Sequence, residues 1–304
     1  MRVEPDLPAV GEAIREVAAE VVLPRFRSLA EGEVTEKGPG DLVTVADVEA
    51  EQALTRFLAA HLAGSVVVGE EAVAADASVL TTAPAHDRVW VIDPIDGTRN
   101  FVAGSPDFAV MVALVEHGLT TASWIYHPVT DRMFTAQRGA GAEVDGRTLV
   151  RSPAPAELRD LRATMVTGML DEHTGARVKE RAEAFGPLHP NRMSAGIQYP
   201  RVAKGELDVV LFWRTLVWDH AAGTLLLEEA GGRVARLDGS DYEPWSDRSG
   251  LVLAADQATH TRAITLLAPD GTLDEEDNRI VELTATFGAE PGTDGPSRDG
   301  WQRG

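Results

Sequence analysis

The chain has 304 residues and a formal net charge of −20, with 28 Lys plus Arg against 48 Asp plus Glu. An apolar content of 44% supports a real core and excludes wholesale disorder. The acidic excess argues against nucleic-acid or anionic-membrane partners, because phosphates are repelled before contact. It leaves room for a small phosphorylated substrate, since metal ions held by a few carboxylates reverse the local sign. The absence of cysteine excludes disulfide staples, thiolate metal sites and a Cys nucleophile. No secretory leader pattern and no apolar run near the roughly 20 residues of a membrane span is visible, so a cytoplasmic protein is expected.

In chain order, Val10, Ile14, Val17, Val21 and Val22 recur with a helical period that Pro24 disrupts. Residues Gly32 to Gly40 read as a polar, glycine-rich loop containing Lys37. Asp41 to Asp47 leads into a second helix, with Val48, Leu54, Phe57, Leu58 and Leu62 as apolar positions and Gly64 as its C-cap. Val66 to Gly69 is a short strand ending in Glu70 and Glu71, and Val89 to Ile92 is another, stopped by Asp93-Pro94. Phe108 to Val115 and Leu119 to Tyr126, joined through Gly118, form a hairpin, and short strands follow from Arg132 to Leu149.

A composition shift at Ser152 to Pro155 marks the expected boundary between an N-terminal unit (1–150) and a C-terminal unit (151–268). The second unit reads as a strand (Leu161 to Val166), a helix (Gly175 to Phe185), a helix (Ser194 to Lys204) containing Pro200, and a strand (Leu207 to Trp213). A helix from Ala221 to Ala230, strands at Arg233 to Leu237 and Leu251 to Ala254, and a last helix ending near Leu267 complete it. Residues 269–304 read as an acidic, flexible tail in which Ile280 to Phe287 alternates weakly like a strand. The mixture gives an α+β or α/β class with alternating layers of helices and sheets, α+β being the class expected.

The string Asp93-Pro-Ile-Asp96-Gly-Thr98-Arg-Asn-Phe101 carries the most chemical information. A strand delivers two carboxylates into a turn, Pro94 fixes φ, and Gly97 lets backbone approach a ligand. Two such acids repel unless a cation is shared, and two divalent ions about 3.5–4 Å apart suit phosphoryl hydrolysis. Asp-Pro and Asp-Gly taken singly are also ordinary turn dipeptides. The three-residue spacing rejects the Asp-x-Asp of haloacid-dehalogenase-type phosphatases. An EF-hand is rejected because its third and twelfth positions, counted from Asp93, are Ile95 and Gly104.

Other strings admit two readings each. Glu70 and Glu71 suit a hard cation or a solvated loop. Asp219, in Trp218-Asp219-His220-Ala-Ala-Gly223, is a metal ligand or an N-cap. Thr44 and Asp47 have capping-box spacing. Lys37 in its flexible glycine loop reads as a solvated charge, and the scattered histidines, His220 beside Asp219 included, read as structural or exposed because no second His stands at ligand spacing.

Together these motifs resemble the inositol monophosphatase family of Mg²⁺-dependent, lithium-sensitive phosphatases, in order and separation, over roughly residues 8 to 268. The matching parts are Asp41-Leu-Val-Thr-x-x-Asp47, Gly69-Glu-Glu71, Asp93 to Phe101, Trp218 to Gly223 and Glu229 to Gly232. The resemblance implies an α-β-α-β-α sandwich of the inositol monophosphatase and fructose-1,6-bisphosphatase type, assembled as a homodimer. It implies two to three Mg²⁺: Glu70, Asp93 and the Ile95 carbonyl on the first, Asp93, Asp96 and Asp219 on the second, and Glu70 near a third.

It further implies that Thr98, bonded to Asp47, activates water, with Glu71 farther out. The Gly97 and Thr98 amides would cradle phosphate, and Lys37 would lie in a closing loop. Ser194 and Ala195 occupy a substrate-facing segment that matches only loosely. Inositol-specific relatives carry a Glu near Leu211-Phe-Trp-Arg214, where this chain has no carboxylate. Arg214 could instead meet a second anionic group or be an ordinary surface arginine. Histidinol phosphate, 3′-phosphoadenosine 5′-phosphate, fructose 1,6-bisphosphate and other sugar phosphates are therefore open as substrates. The unusual Lys37 loop leads us to expect weak lithium inhibition. A regulatory binding protein that keeps the fold is the alternative from another class.

Overall fold

In the computed structural model, which describes residues 5–38 and 40–269, helices and sheets alternate in five layers. The outer layer is α1 (Leu7–Val17), continued by a π-helical turn at Ala18–Val22, and α2 (Val45–His61). Val10, Ile14, Leu54 and Leu58 on these helices pack against Trp90, Ile92, Val112 and Trp124 of the first sheet. That sheet has the order β3 (Val66–Gly69), β4 (Arg88–Asp96), β5 (Ala109–Glu116), β6 (Leu119–His127), β7 (Arg132–Gln137), β8 (Gly141–Val144) and β9 (Arg147–Leu149). β3 and β4 are parallel, and each later pair is antiparallel.

Its other face meets the central layer of α7 (Ala195–Ala203) and α8 (Val217–Glu229). The second sheet has the order β10 (Ala163–Val166), β11 (Val209–Phe212), β13 (Leu251–Ala254) and β12 (Arg233–Arg236). The last layer, α6 (Glu172–Ala182) and α9 (Gln257–Leu267), packs Val178, Ala182, Ala263 and Leu267 onto it. α8 is buried along almost its whole length, which explains why its sequence shows no polar stripe.

Several expectations need correction. The glycine-rich segment around Lys37 is a two-stranded hairpin, β1 (Val34–Gly38) with β2 (Asp41–Thr44), rather than a loop. The first helical stretch ends its regular α-turns at Val17, before Pro24. Val48 is 38% exposed and belongs to the solvent side of α2. α8 begins at Val217, four residues before the expected start at Ala221. Asp219 thus lies in its first turn, and the N-cap position is Leu216. The expected tail from Asp270 onward, with its weakly alternating segment, lies outside the described residues.

β4 does not stop at Asp93-Pro94. Opposite β5 its register runs Asp93↔Met111 and Asp96↔Ala109, three residues against two. The extra residue is a β-bulge, and Pro94 sits in it, where a missing N–H breaks no ladder bond. In a regular strand, residues three apart point to opposite faces. The bulge puts Asp93 and Asp96 on one face, beside Met111 and Ala109, toward the central helices.

α7 tolerates Pro200 for a traceable reason. A proline cannot bond the carbonyl four residues back, here that of Gly196. His127 on β6 supplies the missing partner, with Nε2 2.8 Å from the Gly196 oxygen. Among the described residues, no helix is long and apolar enough to cross a membrane.

Candidate active site

Carboxylates from four elements converge where the first sheet meets the central helices. Asp93 and Asp96 leave the β4 bulge, and Asp219 comes from the first turn of α8. These three can place ligand oxygens within 4.8 Å of one another. Glu70 and Glu71 open α3 (Glu70–Ala75), and Asp47 lies in the first turn of α2. The donor set is all oxygen, the chemistry a hard divalent cation prefers.

Asp96 and Asp47 are held in place by hydrogen bonds. Asp96 Oδ2 accepts the Ser194 hydroxyl at 2.5 Å and the Gly196 amide at 2.6 Å, and Oδ1 accepts the Ala195 amide at 3.2 Å. Ser194 and Ala195, expected to face substrate, thus turn their polar groups to Asp96. Asp47 completes a capping box with Thr44, accepting its amide at 2.8 Å and its hydroxyl at 2.5 Å. The capping reading of Thr44 and Asp47 is correct, yet Asp47 keeps Oδ1 for the Thr98 hydroxyl at 3.2 Å. Thr98, the first residue of α5 (Thr98–Val102), also lies 3.0 Å from the Ile95 carbonyl.

Gly97 has φ +92, and a Cβ there would lie 3.1 Å from both Asp107 O and Ser194 Cβ. Glycine is needed both for the left-handed turn and for the close approach of α7.

Lys37 reaches inward from the hairpin to Glu70 Oε1 at 2.8 Å and Glu71 Oε1 at 3.0 Å. Its burial works against the charge, but the two carboxylates outweigh it and hold the ammonium above its ordinary range. Arg214 stands on the opposite flank, its Nη2 3.9 Å from Asp219 Oδ2, with a side chain 52% exposed.

One residue at the site, Glu51, was missed in the sequence. Glu51 is buried on α2 and accepts the Glu71 and Ala72 amides, both at 2.8 Å, which fixes the start of α3. Gly69 leaves room for it, since a Cβ would come within 2.1 Å of the Glu51 carboxyl carbon. The available signal was spacing: Glu51 follows Asp47 by four residues, one helical turn on the same face. Of its two readings His220 takes the structural one: it is 1% exposed and bonded through both ring nitrogens.

Burial is the largest influence on these acids. It pushes Asp47 and Asp96 up to about 6 and Asp219 up to about 7, and it drives Asp93 well above the carboxylate range. Glu70, Asp96, Asp219 and Asp47 add like charge at Asp93. Glu51 and Glu71 rise to about 7 for the same first reason, and one ammonium does not offset it for Glu71.

Unfolded, such groups titrate near about 4. The folded chain therefore holds their protons more tightly. The stability they contribute is full below about pH 4 and is lost as pH rises through about 6 to 7. Chelator-treated protein is expected to melt at a lower temperature at pH 8 than at pH 5.5. Calorimetric scans across that range check this, and a rising Tm would contradict the assignment.

The family model described as "Inositol monophosphatase family" matches residues 4–270. The chain belongs to the inositol monophosphatase family. Among curated proteins it is 31% identical to an inositol-1-monophosphatase of Caulobacter vibrioides, over 84% of this chain and 98% of that one. It is 31% identical to the Nus factor SuhB of Xylella fastidiosa, over 79% and 86%. Among solved structures, a Thermotoga maritima IMPase superposes with a TM-score of 0.73 at 26% identity, covering 89% of this chain and 98% of that one. The five-layer arrangement is the fold of this family.

Proposed function

We propose that the chain hydrolyses a small-molecule phosphate monoester, with Mg²⁺ held in the acidic cleft. The observation that carries this reading is the convergence of Asp93, Asp96 and Asp219 within 4.8 Å. Buried acids at that separation repel one another by more than the half-exposed Arg214 beside Asp219 offsets, and their raised proton affinity is what divalent cations would relieve. Glu70, Asp93 and the Ile95 carbonyl would hold one Mg²⁺, and Asp93, Asp96 and Asp219 a second, with Glu70 near a third. Bound there, Mg²⁺ lowers the pKa of a coordinated water and offsets charge on the phosphate.

The chain's own groups do the rest. The Thr98 hydroxyl has one hydrogen and two acceptors in reach, Asp47 Oδ1 and the Ile95 carbonyl. Its lone pairs are then free to accept from an attacking water, and Asp47 is the base behind it. Glu71 supports Glu70 from the outer side, with Lys37 between them. The Gly97 and Thr98 amides would receive phosphate oxygens, and Arg214 a second anionic group on the substrate. Histidinol phosphate, 3′-phosphoadenosine 5′-phosphate, fructose 1,6-bisphosphate and inositol 1-phosphate are the candidates to rank. A homodimer in the cytoplasm is the setting we propose with this activity.

The name Nus factor SuhB on a relative gives the regulatory alternative its motive. The intact set of acids favours catalysis. The test is a panel of those four esters with and without EDTA. Hydrolysis of at least one, abolished by EDTA and restored by excess Mg²⁺, is expected. No turnover on any ester with Mg²⁺ would overturn the reading.

A further inference from the structure

Arg214 lies on the short connection between β11 and α8, and Asp219 in the first turn of α8 just beyond it; three successive residues of the connection are tied from outside. The Gly250 amide donates to the Trp213 carbonyl at 2.9 Å. The Thr215 hydroxyl donates to the Arg248 carbonyl at 2.6 Å. Between them, the Arg214 carbonyl lies 3.0 Å from His220 Nε2. The other ring nitrogen, Nδ1, lies 3.0 Å from the Tyr199 hydroxyl, whose oxygen is 3.3 Å from Thr224 Oγ1.

A carbonyl only accepts, so His220 Nε2 carries the hydrogen and Nδ1 accepts from Tyr199. The Thr224 hydroxyl then donates to the Tyr199 oxygen. One carbonyl therefore sets the direction of every hydrogen in this buried chain. Aromatic rings wall the imidazole in: Phe212 meets it edge-on at 4.9 Å and Tyr199 at 5.9 Å. Gly223 leaves the space for this arrangement, since a Cβ there would fall 2.1 Å from the Tyr199 ring.

The Arg214 side chain is half exposed and long, so its guanidinium is aimed only as well as the backbone beneath it is held. We propose that His220, wedged between the Arg214 carbonyl and the Tyr199 hydroxyl, is the positioning residue that places the Arg214 guanidinium beside the acidic centre. It thereby sets the preference for substrates with a second anionic group. This rests on the reading of Arg214 given above. His220 is a positioning residue because its own ring is buried and bonds only protein groups.

The test compares two non-hydrolysable probes that differ by one anion, propane-1,3-bisphosphonate and propylphosphonate, titrated calorimetrically into the full chain with saturating Mg²⁺. The readout is the ratio of their dissociation constants. Arg214→Gln is expected to shrink the bisphosphonate preference by about tenfold, the scale of one charge-assisted pair. His220→Phe should shrink it to a similar extent, and the double variant no further. His220→Gln, which keeps an N–H near the Nε2 position, should stay within about twofold of the wild type, a rescue that general loosening of the core does not give.

Should His220→Phe fail to fold, Tyr199→Phe removes only the hydroxyl that seats Nδ1, and a reduced preference is again expected. An unchanged preference in His220→Phe or Tyr199→Phe, with Arg214→Gln reduced, would overturn the proposal and leave the Arg214 reading standing. A preference that Arg214→Gln does not alter, or no preference in the wild type, would overturn both.

Discussion

Asp93→Asn is expected to lower Mg²⁺-dependent turnover by on the order of 10³-fold while raising the melting temperature of the chelator-treated protein at pH 8. The two effects have one origin. Asp93 is 1% exposed and faces Glu70, Asp96, Asp219 and Asp47, all of which oppose its ionisation. With no cation present that charge is a liability, and an amide of the same shape removes it. Relief on the order of 1 kcal/mol corresponds to a shift of roughly 2–4 °C for a chain of this class. Under the proposed function Asp93 would help hold both Mg²⁺, and the amide would be a poorer ligand for them. Turnover at saturating Mg²⁺ and calorimetry in EDTA measure the two halves separately. A variant with a tenth of wild-type turnover would displace Asp93 from the centre of the site.

Asp208→Asn should be among the most destabilising single changes away from the cleft. Asp208 is fully buried just before β11, and its two oxygens take bonds from three directions. Oδ1 accepts Arg151 Nη2 at 2.5 Å and Arg162 Nη2 at 3.0 Å. Oδ2 accepts the Arg162 amide and Nε, both at 2.9 Å. Arg151 is itself buried, with a side chain 2% exposed. Removing the carboxylate charge strands that guanidinium, a loss of about 3–5 kcal/mol.

A fall in Tm of about 10 °C is expected in the Mg²⁺-loaded protein. Adding Arg151→Met should restore a large part of it, because the cost lies in the stranded cation. A single variant that melts within 2 °C of the wild type would show the triad to be surface-like in energy. The cluster also joins the segment after β9 to the entries of β10 and β11, so the loss bears on how the two sheets are linked.

The acids were legible because each lies in a short local string whose chemistry does not depend on distant residues. Asp93 and Asp96, Glu70 and Glu71, and the Thr44 and Asp47 box all sit next to the turn or helix start that presents them. Asp219 was half legible: its neighbours marked it, but the start of α8 is so apolar that the helix was expected to begin later. The hairpin around Lys37 was missed because its strands are polar, short and only partly buried, which leaves no alternation to read. Pro200 spoke against α7, and the compensating His127 is 73 positions away in sequence, beyond any local rule. Glu51 and His220 act through partners that only folding brings close, Glu71 in one case and Tyr199 in the other.

The extra residue in β4 also governs what evolution can do with this stretch. Asp93 and Asp96 are an odd number apart in the polymer but an even number apart on the sheet, so the segment has its parity corrected once. Replacing Ile95 or Pro94 leaves that correction intact. Pairing all three steps regularly against β5 would instead send the second aspartate through to the far side of the sheet, toward α2, whereas deleting either residue would remove the bulge and leave the acids two apart on one face.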